Sequence, residues 1–135
     1  MKLRTKSQVV RIPITRGGET CYFFGEPINP KQMSKLLEKA TDVIWEKGQR
    51  FSDLNLYRYK ISKISIGIKG WEDVLDDDGN PIPFTPENLE IVYLNNPDII
   101  DEVLEKLDNI SKMKQIEEEN ELKNSKTAQP GTAIQ

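Results

Sequence analysis

The residues best suited to chemistry form an acidic run, Asp-Asp-Asp-Gly-Asn, at residues 76–80. Such a run suggests a calcium loop. An EF-hand loop, however, needs oxygen ligands at fixed positions, glycine at the sixth and a bidentate glutamate at the twelfth. With Gly79 as the sixth residue, the first is Val74 and the twelfth is Thr85, so neither supplies a carboxylate. The run instead predicts a tight turn in which Asp78 and Gly79 tolerate a positive φ, and we expect no metal site.

Other catalytic groups are scarce in the chain. It contains no histidine, which removes the commonest general base and the commonest metal ligand. Its one cysteine, Cys21, falls in a predicted strand, and we interpret it as a buried, inert thiol. No glycine-rich phosphate loop occurs, and neighbouring acids such as Glu72 and Asp73 lie in a very polar segment. We therefore expect a protein that is not an enzyme, with no catalytic residues and no cofactor.

Length and charge indicate a small polar protein. The chain has 135 residues, of which 30% are charged, and a net charge of −3. Residues 1–16 are basic but carry no aromatic side chains to stack on bases, so we do not expect nucleic-acid binding. No stretch is apolar enough for a membrane span or a signal sequence, which predicts a protein of the cytoplasm.

The N-terminal half predicts two strands and a helix. Residues 8–14 and 20–24 are rich in β-branched and aromatic residues and flank a Gly-Gly turn, which indicates a hairpin. Pro13 lacks a backbone donor and predicts an edge strand. Asn29 and Pro30 resemble a helix start, and the apolar spacing predicts a helix over residues 32–45 that stops at Gly48. Residues 51–59 remain open between loop, helix and strand.

The C-terminal half predicts strands and then helices. The alternation from Ile64 onward favours a strand over residues 60–68, and residues 71–76 and 81–84 flank the acidic turn as further strand segments. Thr85-Pro86 and Asn96-Pro97 each predict a helix start. The second of these helices has one apolar stripe, made up of Ile99, Ile100, Val103, Leu104, Leu107 and Ile110.

Together these elements predict an α+β fold. Its small antiparallel sheet is packed on one face by about three helices. We expect a single domain over residues 1–116. Residues 117–135 are acidic and then polar, and they predict a largely disordered C-terminal tail.

The segment from Ile66 to Leu94 carries a further pattern. A strand ends in Gly-Trp-Glu at residues 70–72, an acidic turn with glycine follows, and Pro-Ile-Pro-Phe-Thr-Pro-Glu-Asn-Leu at residues 81–89 leads into a helix. This series resembles the tail assembly chaperones of tailed bacteriophages and prophages. The resemblance covers about a quarter of the chain and is weakest before residue 60.

The resemblance implies a non-enzymatic role in phage morphogenesis. Such proteins bind the tape measure protein and keep it soluble while tail tube subunits assemble around it, and they are absent from the finished virion. It implies the tape measure protein as partner, with the tail tube protein as a second candidate and self-association left open. It also implies that the host bacterial cytoplasm is the place of action.

Five residues are candidates for contact with that partner. Trp71 and Phe84 flank the acidic turn, where aromatic residues form either core or interface, and both interpretations remain open. Met113, Ile116 and Leu122 are the last apolar residues of the final predicted helix, in a part that either binds a partner or frays. Two other functions remain open: a structural tail-completion or head–tail joining protein of the particle, and a small regulatory or nucleic-acid-binding module.

Overall fold

The computed structural model describes residues 1–3 and 5–109. Eight of its elements have complete bounds: β1 (Val10–Arg16), β2 (Glu19–Gly25), α1 (Pro30–Ala40), β3 (Thr41–Glu46), β4 (Gln49–Leu54), α2 (Leu56–Gly67), β5 (Ile68–Glu72) and α3 (Pro86–Asn95). A further helix, α4, occupies residues 97–109 of the described part. The expectations for Ile110 and for the tail over residues 117–135 lie outside the described residues.

The main sheet has three antiparallel strands in the order β1-β2-β5. Gly17 and Gly18 join β1 to β2 with φ of 58° and 80°, which is the left-handed turn that the twist of a two-residue hairpin requires. β1 is an edge strand, as Pro13 predicts. The Pro13 carbonyl accepts a hydrogen bond from Lys106 Nζ at 3.0 Å, so this edge is closed to further strands at its centre.

One face of this sheet carries the core. Ile12, Ile14 and Phe23 project from it and are at most 1% exposed. Helices α2, α3 and α4 cover them with a set of buried side chains: Ile64, Leu89, Val92, Ile100, Val103, Leu104 and Leu107. On the opposite face, the Arg11 guanidinium lies 3.6 Å from the centre of the Tyr22 ring. The predicted α+β class, with an antiparallel sheet packed on one face by helices, is confirmed.

The helix predicted over residues 32–45 ends early. Its start is as predicted, because Asn29 Oδ1 accepts the Gln32 N–H at 2.8 Å and Gln32 Oε1 accepts the Asn29 N–H at 3.0 Å. The helix stops at Ala40, and Thr41 already has extended backbone angles. β-Branched residues follow Ala40 and prefer a strand, so the expected helix end at Gly48 is wrong. Gly48 instead closes a second hairpin, between β3 and β4.

The strand predicted over residues 60–68 is wrong for all but its last residue. This stretch is the body of α2, which begins at the Asn55 cap, whose Oδ1 accepts the Arg58 N–H at 3.0 Å. Ile61, Ile64 and Ile68 are spaced three and four apart, which fits a helix, whereas Ile64, Ile66 and Ile68 alternate, which suggested a strand. The next strand, β5, starts only at Ile68.

The late elements follow the sequence more closely. Thr85 Oγ1 accepts the Asn88 N–H at 3.0 Å and caps α3, with Pro86 in its first turn. The segment expected to be a strand at residues 81–84 forms only one bridge, between Pro81 and Leu75. Within residues 1–3 and 5–109, no helix is long and apolar enough to cross a membrane.

Candidate functional site

Trp71 lies at the centre of an aromatic group. Its ring meets Phe23 edge-on at 6.0 Å between centroids and Phe84 edge-on at 4.9 Å. Its indole Nε1–H donates to the Ile82 carbonyl at 2.7 Å, which fixes the loop after the acidic turn to the end of β5. Trp71 is half-buried and packs on the core, whereas Phe84 is 36% exposed and covers it from outside. The geometry gives Trp71 a structural role and makes Phe84 the more exposed of the two.

The other three predicted contact residues lie outside the described part of the chain. Met113, Ile116 and Leu122 follow residue 109, the last helical residue that the structure describes. Their assignment therefore stays a prediction.

The acidic run forms a turn that uses its own carboxylate. Asp76 Oδ1 accepts the backbone N–H groups of Asp78 and Asn80, each at 2.9 Å. Gly79 has a φ of 83°, while Asp78, expected to share this conformation, does not have a positive φ. Across residues 1–3 and 5–109, no group of three or more potential ligand side chains is placed to hold a metal ion. The Asp76 carboxylate thus stabilises the turn that Trp71 anchors.

Cys21 faces a cleft between the end of the sheet and the α3–α4 junction. The cleft has a volume of about 710 Å³, with Phe23, Val74 and Val92 in its apolar wall and Asp73 near its rim. The thiol is half-buried rather than fully buried, and burial raises its pKa above the usual value. A raised pKa keeps the thiol protonated and poorly nucleophilic, as the sequence interpretation expected.

Within the part of the chain that the structure describes, the β3–β4 hairpin exposes a group of apolar side chains that the sequence interpretation did not select as a site. We call its five apolar side chains, each between 40% and 68% exposed, the hairpin surface: Val43, Ile44, Trp45, Phe51 and Leu54. Every residue of β4 is exposed, and so are the last four residues of β3. No other described element covers these side chains, although apolar groups of this size are usually buried.

The hairpin surface has two faces. The register pairs Ile44 with Phe51, so these two side chains form the centre of one face. Val43, Trp45 and Leu54 belong to the other face, together with Arg50 and Ser52. Because both faces carry apolar side chains, packing against a single side would leave the other exposed.

The base of the hairpin is held firmly to the body. The Ala40 carbonyl accepts the Asn55 N–H at 2.8 Å where the two strands begin and end. Arg58 bonds to the Lys39 carbonyl at 3.1 Å and to the Asp42 carboxylate. These contacts fix the direction of the hairpin and leave its outer part free to meet another molecule.

Two basic residues of the N-terminal region pair with acids of the same chain. Arg11 lies 3.3 Å from the Glu72 carboxylate, and Arg16 donates to Glu102 Oε1 at 2.7 Å. The Arg16 contact, followed by a hydrogen bond from Lys106, lowers the pKa of Glu102 below its usual value. The basic segment is therefore partly neutralised by contacts that tie β1 to β5 and to α4.

Comparison with known protein families identifies a family for this chain. Residues 28–124 match the family described as YdaY prophage protein, a span of more than half of the chain. The chain belongs to the YdaY prophage protein family. No curated protein and no solved structure shows significant similarity to it.

The family match bears on the predicted site and on the resemblance. It includes the whole β3–β4 hairpin and begins after β2. A prophage protein agrees with the phage part of the resemblance noted for residues 66–94. The dipeptide Lys47-Gly48 between two apolar runs was the signal that could have revealed the hairpin, because both residues adopt a positive φ there.

Proposed function

We propose that this prophage protein is a tail assembly chaperone that binds the tape measure protein and keeps it soluble while the tail tube assembles. The observation that carries the proposal is the exposure of the hairpin surface, where Trp45 alone is 68% exposed. The prophage family and the resemblance of residues 66–94 support the phage context. In this role the protein acts without catalysis, in the cytoplasm of the host, and is absent from the finished particle.

The size of the hairpin surface suits reversible binding. Fully burying one large apolar side chain contributes about 1.5–3 kcal/mol, so covering the exposed half of five contributes roughly 4–7 kcal/mol. Association itself costs at least about 4 kcal/mol in lost freedom of motion. A single contact of this kind is weak. Many copies bound along a long tape measure protein would together keep it soluble, and tube subunits could still displace each copy.

The charges around the hairpin surface support the same use. Five charged residues lie in the same hairpin and flank its apolar side chains: Asp42, Glu46, Lys47, Arg50 and Asp53. Charges of both signs keep an exposed apolar patch from aggregating and remain solvated at the rim of a complex. A chaperone needs this combination, because it must stay soluble both before and after it covers its partner.

Co-expression with the tape measure protein of the same prophage tests the proposal. We expect the wild-type protein to co-purify with the tape measure protein and to raise its soluble fraction severalfold. Trp45→Ser should weaken both effects because it removes the most exposed side chain of the hairpin surface. Leu3→Ser is the matched control, since Leu3 is 75% exposed but lies outside the hairpin.

Two results would contradict the proposal. The first is an unchanged soluble fraction of the tape measure protein with no co-purification. The second is retention of this protein in purified phage particles, which would favour a structural tail-completion or head–tail joining component.

A further inference from the structure

The outer edge of β4 is an unpaired strand edge. β3 and β4 form a two-stranded sheet, so within residues 1–3 and 5–109 no third strand joins either side of it. Glu46 and Gln49 close the two-residue turn and therefore exchange backbone hydrogen bonds, as do Ile44 and Phe51 two residues further on. The intervening residues of β4, Arg50 and Ser52, consequently direct their N–H and C=O groups away from β3.

This edge lacks the protection found on β1. There, Pro13 supplies no donor and Lys106 occupies its carbonyl. β4 contains no proline, and all six of its residues are exposed. A two-stranded ribbon is at best marginally stable in water, so added strands would stabilise the hairpin considerably.

The side chains of β4 fit a second copy of the same strand. In a twofold antiparallel pairing centred on Phe51, the two Phe51 rings lie directly opposite each other at a non-hydrogen-bonded pair, where side chains approach most closely. Gln49 then faces Asp53, and Arg50 faces Ser52, so no like charges oppose each other. Each β4 side chain thus lies opposite a chemically compatible side chain of the second copy.

Other symmetric pairings fit less well. Moving the centre of the β4 pairing to Ser52 places each Phe51 opposite an Asp53 carboxylate. Moving it to Arg50 opposes two guanidinium groups, which repel. A pairing of two β3 strands centred on Val43 places Asp42 against Ile44. The pairing centred on Phe51 is therefore the one that the charges favour.

We propose that the protein self-associates through β4, with Phe51 of each copy opposite Phe51 of the other, to form one four-stranded antiparallel sheet. Its central row then reads Ile44, Phe51, Phe51, Ile44 across the two copies, a continuous apolar strip from two separate pairs. This inference concerns the protein by itself and stands whether or not the tape measure protein is its partner.

Disulfide trapping tests the register. In a Cys21→Ala background, which removes the single native cysteine, Phe51→Cys should form a disulfide-linked dimer under mild oxidation, because opposed residues at such a pair have Cα atoms about 4.5 Å apart. Asp53→Cys is the control. Its two copies would lie about 13 Å apart, four residues along the strand, and should remain monomeric on a non-reducing gel.

Sedimentation of the purified protein tests the edge itself. We expect the wild-type protein and Ser52→Ala to reach twice the monomer mass as concentration rises. Ser52→Pro should remain a monomer, because it loses the outward donor while the hydrogen bonds between β3 and β4 stay intact. Circular dichroism of the three proteins checks that each is folded.

Three results would overturn the inference. The wild-type protein could stay monomeric up to its solubility limit, the two cysteine variants could cross-link equally, or Ser52→Pro could dimerise like the wild type. Any of these would mean that the edge of β4 is not a contact between copies.

Discussion

At the scale of single residues, Trp71 illustrates how one side chain can join three parts of the fold. It contacts Phe23 in the sheet and Phe84 before α3, and it donates to the Ile82 carbonyl. The sequence showed an aromatic pair around an acidic turn but did not show which residues each ring would contact. The structure separates the two, with Trp71 as an anchor and Phe84 as its cover.

We predict that Trp71→Ala lowers the free energy of unfolding by about 3 kcal/mol, near the lower end of the range for a large aromatic residue because Trp71 is only half-buried. Trp71→Phe should cost less, since it keeps the ring contacts and loses the hydrogen bond. Urea denaturation followed by circular dichroism measures both. An unchanged unfolding midpoint in Trp71→Ala, with loss of tape measure binding, would instead assign Trp71 to the interface.

A second prediction at this scale concerns pH. Hydrogen bonds from Arg16 and then Lys106 lower the pKa of Glu102, so the ionised form is stabilised in the folded protein. Such a group contributes stability above its unfolded pKa, and the contribution is lost as pH falls through the lowered folded pKa. Glu102→Gln should therefore reduce stability at neutral pH and lose its effect in acid.

Thermal unfolding of the wild-type and Glu102→Gln proteins between neutral and strongly acidic pH measures this difference. Glu105→Gln, which changes an exposed acid on the same helix, is the control and should show a smaller effect. A difference between wild type and Glu102→Gln that persists unchanged in strong acid would contradict the assigned role of the Arg16–Glu102 contact.

At the scale of elements, the three helix starts that precede a proline were predictable, whereas the Asn55 cap and the ends of the elements were not. Asn29, Thr85 and Asn96 each precede a proline, and a helix starts at each of these points. Their signal is local, because the cap side chain satisfies N–H groups only two or three residues away. The end of α1 depends instead on Thr41, which leaves the helix to pair with Leu54, a residue thirteen positions further on.

The error in α2 has a related cause. In residues 60–67, Ile61 and Ile64 fit the helix period while Ile64 and Ile66 fit the strand period, and local pattern alone does not separate the two. The Asn55 cap and the packing of Ile64 in the core favour the helix. The choice thus rests partly on a local cap and partly on tertiary packing in the core, and a single sequence does not display the second.

The contact between the sheet and α4 gives a prediction at this scale. A Cβ atom added at Gly25 would lie 2.7 Å from Leu107 Cδ1 and 2.8 Å from Leu107 Cδ2, so the buried Leu107 side chain would have to move as a whole. Gly25→Ala should therefore destabilise the fold by about 1–3 kcal/mol.

Gly70→Ala is the matched control on the neighbouring strand. Its added Cβ would meet Phe24 at 3.7 Å, an ordinary van der Waals distance. Chemical denaturation of the two variants compares them directly. Equal unfolding midpoints would show that α4 does not press on the sheet at Gly25 as the structure indicates.

At the scale of the whole molecule, the described residues form two parts that differ in how far their apolar side chains are buried. The β1-β2-β5 sheet and the helices α2, α3 and α4 form a closed core, and the β3–β4 hairpin extends from it with its apolar side chains exposed. The sequence predicted the first part well enough to give the fold class. It did not predict the second, because Val43 and Ile44 also fit the apolar stripe of the helix expected there, and Trp45 was placed at the end of that helix.

The misassigned element is also the candidate site. As part of a helix, these three residues would have been expected to pack on the body of the protein, so they were not chosen as a contact surface. The candidate residues Trp71 and Phe84 were chosen for their chemistry, and Phe84 is the more exposed of the two. The origin in a prophage, in contrast, agrees with a pattern of residues that is visible in the sequence alone.

The most direct test of the proposal that the hairpin surface binds the tape measure protein is hydrogen exchange of this protein with and without the tape measure protein. We expect the backbone amides of residues 41–54 to exchange more slowly in the complex, while those of β1 and β2 change little. Binding that leaves residues 41–54 unprotected, with slower exchange elsewhere, would contradict the assignment of the hairpin surface as the site of contact.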